Sequence, residues 1–158
     1  MTVAPAVVFG AGSIGRGLLG QLLAQSAVPT VFVEAVEGLR RRLLDAAAYT
    51  VRLTGRRTEV YTVSGFRTLG PEDTEGLASA LSSCSFAATA VGGVHLSQVA
   101  EMVSAAVGTR SHPLPLLLCE NWPDAVQAMT AHLAALGVSR EQVVCIPTSV
   151  ERMVRQGE

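Results

Sequence analysis

The sequence predicts an α/β domain, in which helices cover both faces of a doubly wound, mostly parallel β-sheet. Short apolar runs alternate with stretches of helical periodicity, and this order favours parallel strands joined by right-handed crossovers. Apolar residues make up 49% of the chain and charged residues 16%, which is typical of a well-packed globular domain. The length of 158 residues suits one such domain.

The first half of the chain begins with a regular alternation of elements. Apolar runs and helical spacing predict, in order, a strand over 6–9, a helix over 14–26, a strand over 30–33 and a helix over 36–47. Residues 49–53 and 58–63 then alternate apolar and polar side chains around a turn that contains Gly55. Period-two patterning around such a turn predicts an inserted β-hairpin or two edge strands.

The second half returns to strands separated by helices. Pro71 fits a first helical turn, Asn121 can cap a helix with Pro123 in its first turn, and Gly137 ends that helix. The patterns predict, in order, a helix over 71–82, a strand over 86–91, a helix over 96–107, a strand over 114–119, a helix from about 121 to 136 and a strand over 143–146.

The most informative stretch is residues 9–17, which read Phe-Gly-Ala-Gly-Ser-Ile-Gly-Arg-Gly. A G-x-G-x-x-G pattern between a strand and a helix is how a Rossmann fold holds a dinucleotide. Gly10 permits the tight turn, Gly12 lets the backbone approach a pyrophosphate, and Gly15 lets the helix lie close to the strand. Free N–H groups and the dipole at the helix start favour the phosphates. We expect cofactor contacts from Gly10, Ala11, Gly12, Ser13, Ile14 and Gly15.

An acidic residue follows the second predicted strand. Glu34 lies close to the spacing of about 20 residues expected after the glycine motif. In a dinucleotide fold its carboxylate accepts hydrogen bonds from the adenosine ribose hydroxyls and repels a 2′-phosphate, so we expect NAD rather than NADP. A packing-driven β-α-β unit with a solvated acid at the strand end is the alternative. Arg40-Arg41-Arg42 is interpreted as a solvated helix face.

Two further strand ends should lie at the same edge of the sheet, where open α/β folds bind ligands. Ala90, Val91 and Gly92 end one predicted strand, and we expect them to contact the cofactor, although an ordinary strand-to-helix turn is the alternative. Glu120 and Asn121 end the next strand and are expected beside the nicotinamide or the substrate. The sequence has no evident Ser-His-Asp arrangement or clustered metal-ligand set, so we assign no catalytic residue and no metal site.

The composition indicates which classes of partner and which cellular compartment to expect. The net charge of −1 and the 4% aromatic content argue against a nucleic acid or an anionic membrane as partner. Cys84, Cys119 and Cys145 are far apart and form no C-x-x-C pair, so we interpret them as structural thiols, with Cys119 and Cys145 buried. This cysteine usage, the lack of a signal-peptide pattern and the lack of a long apolar run predict a cytoplasmic protein.

Five motifs occur in order along almost the whole chain, over about residues 6–154. They are the Phe9–Gly17 stretch, Thr62-Val63-Ser64-Gly65, Thr89-Ala90-Val91-Gly92, Cys119-Glu120-Asn121 and Val150-Glu151-Arg152. Together they resemble the N-terminal Rossmann domain of the mannitol-1-phosphate 5-dehydrogenase and polyol (mannitol) dehydrogenase family. The resemblance implies an NAD-dependent oxidoreductase that interconverts a sugar alcohol (mannitol or mannitol 1-phosphate) and a ketose (fructose or fructose 6-phosphate) by hydride transfer.

The chain departs from the family pattern at several positions. Glu34 and Glu151 stand where the family usually has Asp, and Arg155 replaces a typical proline. Family members continue into a helical C-terminal domain with the catalytic lysine and most of the substrate pocket, whereas this chain contains no lysine. We therefore expect one NAD-binding domain over 1–158, which lacks that C-terminal domain and meets a polyol substrate only with it. A non-catalytic NAD(H)-binding module, acting as a sensor or a partner subunit, is the alternative. Self-association is left open.

Overall fold

The computed structural model describes residues 3–155 and 157. Within this part of the chain, the strands are β1 (Ala6–Phe9), β2 (Thr30–Val33), β3 (Ala48–Leu53), β4 (Glu59–Ser64), β5 (Arg67–Leu69), β6 (Phe86–Thr89), β7 (Leu114–Leu118) and β8 (Val143–Pro147). The α-helices are α1 (Gln21–Gln25), α2 (Glu37–Ala46), α3 (Thr74–Ser83), α4 (Leu96–Val107) and α5 (Ala125–Ala135). A π-helical segment, Gly15–Gly20, runs directly into α1, and a short 3₁₀ turn, Gly93–His95, precedes α4.

The main sheet has six strands in the order β5-β2-β1-β6-β7-β8, and every neighbouring pair is parallel. The chain builds outward from β1 to β5 and then crosses back to β6 on the other side of β1. This reversal is the doubly wound topology that the sequence predicts, so the fold class is confirmed. It also places the strand-order switch between β1 and β6, where ligands bind in such folds.

The strand β1 divides the hydrophobic core into two layers. All four of its residues are buried, and successive side chains point to opposite faces of the sheet. Val7 and Phe9 pack with the layer formed by α3, α4 and α5, whereas Ala6 and Val8 pack with the layer formed by α1 and α2. A strand that is buried on both faces explains the continuous apolar run in the sequence.

The predicted β-hairpin is confirmed. Strands β3 and β4 pair antiparallel as a separate two-stranded sheet inserted between α2 and β5. Its anchor is an aromatic cluster in which Tyr49 and Phe66 lie with ring centroids 5.5 Å apart, and Phe66 makes an edge contact with Phe32 of the main sheet. The insertion therefore packs against the layer that contains α1.

Several details differ from the sequence predictions. Strand β5 was not predicted, because three residues are too few to reveal a period-two pattern. The helix expected over 71–82 begins at Thr74, since the Asp73 side chain accepts a hydrogen bond from the Gly76 N–H and caps it. The predicted cap at Asn121 is wrong: α5 begins at Ala125, and no side chain caps it at the preceding residue.

Candidate dinucleotide-binding site

The predicted site residues lie at the carboxyl ends of neighbouring strands. Backbone hydrogen bonds continue past the strand ends, from Gly10 N–H to the Val33 carbonyl at 2.8 Å and from Ala90 N–H to the Phe9 carbonyl at 2.8 Å. Beyond β6, the Cys119 N–H donates to the Thr89 carbonyl at 3.0 Å. The structure thus brings the glycine loop, Glu34, Ala90–Gly92 and Glu120 to one edge of the sheet.

The three glycines of the motif have different surroundings. Gly10 has a φ of +90°, and a Cβ there would collide with the carbonyl oxygen of Ala90. A Cβ on Gly15 would collide with the carbonyl oxygen of Gly10. A Cβ on Gly12 would meet no protein atom within 4 Å. The fold itself therefore requires Gly10 and Gly15, whereas Gly12 faces open space, which is what a ligand cradle needs.

The start of the first helix offers backbone donors to this open space. Within the described residues, the structure records no protein acceptor for the N–H groups of Gly12, Ser13 and Ile14. The Gly12 carbonyl accepts the first helical hydrogen bond, from Arg16 N–H at 3.0 Å. Free N–H groups at a helix start, combined with the helix dipole, form an anion-binding arrangement.

Glu34 lies beside this loop, and its side chain is only 6% exposed. Its Oε2 accepts a hydrogen bond from Ala11 N–H at 2.8 Å, and its Oε1 accepts one from Val36 N–H at 2.7 Å. Each carboxylate oxygen has two lone pairs, so each retains one for a further donor. The structure therefore places a negative charge against the glycine loop and gives that carboxylate a second role, which is to hold the loop.

Glu120 makes an equivalent arrangement on the other side of β6. Its side chain is 9% exposed, and its Oε1 and Oε2 accept hydrogen bonds from Val91 N–H at 3.0 Å and Gly92 N–H at 2.9 Å. Gly92 has a φ of +85°, a conformation that favours glycine. The loop after β6 is therefore fixed by one carboxylate that bridges two successive backbone donors.

Asn121 and Trp122 follow Glu120 at the mouth of the cleft, and both are exposed. Both line a cavity of about 470 Å³ between the ends of β7 and β8, which Pro147, Thr148 and Val150 also line. The Trp122 ring lies against Gly93, where a Cβ would crowd it. Asn121 is thus placed where a substrate could reach its carboxamide, and it is free of the capping role expected from the sequence.

Two residues that no sequence pattern singles out support the glycine loop from behind. The Arg16 Nε donates to the Ala11 carbonyl, and its guanidinium carbon lies 6.0 Å from the Tyr49 ring centroid. The Tyr49 hydroxyl donates to the Arg16 carbonyl at 3.0 Å, and burial raises the pKa of Tyr49 far above its usual value, so the donor stays protonated. Arg16 belongs to the Phe9–Gly17 stretch, but nothing in the sequence indicates its partners.

The C-terminal segment also reaches the first helix. Arg152 donates to the Gln21 side-chain oxygen at 2.6 Å and to the Gly17 carbonyl at 3.4 Å. Val154 packs over Gly17, where a Cβ would collide with it. Arg152 of the Val150-Glu151-Arg152 motif therefore holds the π-helical segment and the start of α1, which follow the glycine loop.

Other features lie away from this cleft. A wider groove of about 870 Å³ runs between α5 and β8 and contains none of the predicted site residues. The three cysteines are free thiols whose pKa values are raised by burial, and Cys145 is only half-buried because β8 is an edge strand. No group of three or more His, Cys, Asp or Glu side chains in the described residues is placed to hold a metal. None of the described helices is long and apolar enough to cross a membrane.

Residues 4–155 match the family model described as the mannitol dehydrogenase Rossmann domain. The chain belongs to this family. The doubly wound parallel sheet and the glycine loop described above agree with the Rossmann domain that this description names. The resemblance drawn from the sequence motifs is therefore confirmed, over nearly the range that those motifs cover.

Relatives of this mannitol dehydrogenase Rossmann domain carry one recurring name. A mannitol-1-phosphate 5-dehydrogenase of Pseudarthrobacter chlorophenolicus is 36% identical over 97% of this chain and 42% of its own length. One of Geobacillus thermodenitrificans is 34% identical over 81% of this chain and 34% of its own length. The chain thus spans less than half the length of these relatives.

Solved structures share the fold at low sequence identity. A Pseudomonas fluorescens mannitol 2-dehydrogenase, in a ternary complex with NAD and D-mannitol, superposes with a TM-score of 0.69 at 17% identity. That match covers 86% of this chain and 37% of the other. An octopine dehydrogenase in complex with NADH and agmatine gives a TM-score of 0.67 at 13% identity, over 91% of this chain and 34% of the other.

Proposed function

We propose that this chain is the NAD(H)-binding domain of an NAD-dependent oxidoreductase that interconverts a sugar alcohol and a ketose. The pair would be mannitol and fructose or their phosphates, mannitol 1-phosphate and fructose 6-phosphate. The observation that carries the proposal is the open space over Gly12, faced by helix-start N–H groups that have no protein acceptor in the described part of the chain. This cradle fits the diphosphate of a dinucleotide.

Different residues of the site would bind different parts of the cofactor. The backbone from Gly10 to Gly15 would hold the diphosphate through the N–H groups of Gly12, Ser13 and Ile14. Glu34 would accept hydrogen bonds from the adenosine ribose hydroxyls with its remaining lone pairs. Its charge would repel a 2′-phosphate, which supports NAD over NADP.

The loop after β6 would lie beside the nicotinamide half of the cofactor. Ala90, Val91 and Gly92 form this loop, and Glu120 contributes through the hydrogen bonds that hold it. Asn121 would face the substrate from the mouth of the cavity between β7 and β8. These assignments give each predicted site residue a role at the same edge of the sheet.

NAD supplies a hydride acceptor for a secondary alcohol, while a base takes up the hydroxyl proton. This chain contains no lysine, and we assign no catalytic base within it. Its residues would bind and orient the cofactor. We place the substrate-binding and catalytic residues in the part of the relatives that this chain does not span. We therefore expect these 158 residues to bind NADH and to oxidise polyols negligibly.

The family match favours an oxidoreductase over a non-catalytic sensor or partner subunit. The free cysteines support a reducing compartment such as the cytoplasm.

The proposal is tested by thermal melting of the purified chain with and without millimolar NADH. Ligand linkage raises the melting temperature of a protein that binds NADH in its folded state. The absence of any shift with either NADH or NAD would refute the proposal. Detectable oxidation of mannitol or mannitol 1-phosphate by the pure chain would refute the placement of the substrate machinery.

A further inference from the structure

We infer that Glu120 is a positioning residue, which sets the backbone of the loop after β6 for the nicotinamide half of NAD(H). The inference rests on the proposed function, because it assigns a task within the proposed NAD(H) site. It concerns how the loop 90–92 obtains its shape, which neither the glycine motif nor the family match addresses.

The geometry around Glu120 indicates a structural clamp. Both carboxylate oxygens accept hydrogen bonds from successive N–H groups, those of Val91 and Gly92. These donors come 28 and 29 residues earlier in the chain, so the contact joins the end of β7 to the end of β6. Two N–H donors bound to one carboxylate fix the orientation of both peptide planes, because charge-assisted hydrogen bonds are short and strong.

The two hydrogen bonds distinguish Glu120 from a residue whose only contact would be with the cofactor. The side chain is 9% exposed, and each of its oxygens already has a backbone donor. Each oxygen retains a lone pair, as in Glu34, and the side chain lines the cavity beside Asn121, so the task that the two bonds establish for Glu120 is to hold Val91 and Gly92.

The position of the clamp in the sheet decides which half of the cofactor it serves. A doubly wound fold consists of two mononucleotide-binding halves on either side of the strand-order switch. The glycine loop follows β1, and Glu34 holds it from β2, so these residues belong to the half that takes the diphosphate and the adenosine ribose. Glu120 follows β7 and holds the loop after β6, so it belongs to the other half.

The chain provides its own reporter for the nicotinamide half. Trp122 is the only tryptophan, lies two residues after Glu120 and packs against Gly93. Reduced nicotinamide accepts excitation energy from a nearby indole, so bound NADH should quench Trp122 fluorescence. ADP-ribose lacks the nicotinamide ring, and it therefore reports on the adenosine half alone, through competition or calorimetry.

The test compares Glu120→Gln with Glu101→Gln, the same change at an exposed site on α4. Glutamine has nearly the shape of glutamate but presents an amide group toward one of the two backbone donors. We expect Glu120→Gln to weaken NADH binding about tenfold, as for the loss of a charge-assisted hydrogen bond. Quenching of Trp122 at NADH saturation should also fall, while ADP-ribose affinity stays within about twofold of the parent chain. Glu101→Gln should match the parent in every measurement.

Each outcome bears on the inference. NADH affinity and quenching that are both unchanged in a folded Glu120→Gln variant would overturn it. Equal losses of NADH and ADP-ribose affinity would also overturn it, because they indicate general damage to the fold. If Glu120→Gln does not fold, Glu120→Asp takes its place: the shorter side chain keeps the charge but cannot bridge both donors, and the same NADH-specific loss is expected. A parent chain that binds neither probe would instead refute the proposed function.

Discussion

The substitution Gly12→Val separates ligand binding from folding more cleanly than any other change in the cleft. A Cβ at this position would meet no protein atom within 4 Å, so the folded chain has room for the side chain. The same side chain would enter the space in front of the helix-start N–H groups. The change should therefore obstruct the proposed diphosphate site while leaving the core intact.

The structure allows estimates of the loss of stability and of the loss of NADH affinity in Gly12→Val. The Gly12 carbonyl accepts the Arg16 N–H ahead of the first helix, and valine is less favourable than glycine at such a position by about 1 kcal/mol. In a domain of this size, 1 kcal/mol lowers the melting temperature by about 2–4 °C. Loss of two hydrogen bonds to a charged phosphate, at about 1.5–3 kcal/mol each, weakens binding by about 3 kcal/mol or more. That free energy corresponds to a fall in NADH affinity of roughly 100-fold or more.

The assay is a calorimetric titration of each variant with NADH. A thermal melting curve of the same variant is recorded in parallel. Gly108→Val is the matched control, because Gly108 also has open space at its Cβ position but ends α4, at the opposite edge of the sheet. We expect the control to bind NADH like the parent chain. A folded Gly12→Val variant with unchanged NADH affinity would refute the assignment of the cradle.

Three further changes test the surroundings of the loop. Gly15→Ala would press a Cβ into the Gly10 carbonyl, so we expect a loss of about 1–3 kcal/mol in unfolding free energy by urea denaturation, and a smaller loss would contradict the packing. Glu34→Ala should raise the affinity for NADP relative to NAD by about tenfold or more in parallel titrations, because the charge that repels a 2′-phosphate is removed. Arg110→Ala removes donors from the Cys84 carbonyl, and should lower stability by about 1–3 kcal/mol while NADH affinity stays unchanged.

The sequence predicts those parts of the fold whose causes are local. The glycine motif is recognisable because Gly10 must adopt a positive φ and Gly15 must lie against the Gly10 carbonyl, and both demands act within a few residues. The hairpin is recognisable because the period-two pattern repeats on both sides of one turn. Strand β5 is different, because its extended conformation depends on pairing with the distant strand β2. Arg67, for example, pairs with Val31. No local pattern in three residues reveals that partner.

The same distinction holds in the candidate site. Glu34 and Glu120 were predicted as site residues from their places at strand ends, where side chains converge in a parallel sheet. Their backbone partners could not be predicted, since Ala11 lies 23 residues from Glu34 and Val91 lies 29 residues from Glu120. The cap predicted at Asn121 was wrong for a related reason: the cap residue depends on where α5 docks against the sheet.

The distribution of backbone donors explains where an anion can bind at this edge of the sheet. Two buried glutamates occupy four backbone donors at this edge. Glu34 accepts from the N–H groups of Ala11 and Val36, and Glu120 accepts from those of Val91 and Gly92. In the described residues, the helix-start N–H groups left without a protein acceptor are those of Gly12, Ser13 and Ile14. A phosphate competes with a bound carboxylate for the four N–H groups that the glutamates already use. The helix start keeps backbone donors free for the proposed diphosphate, while the two glutamates occupy the donors of neighbouring residues and hold the two loops.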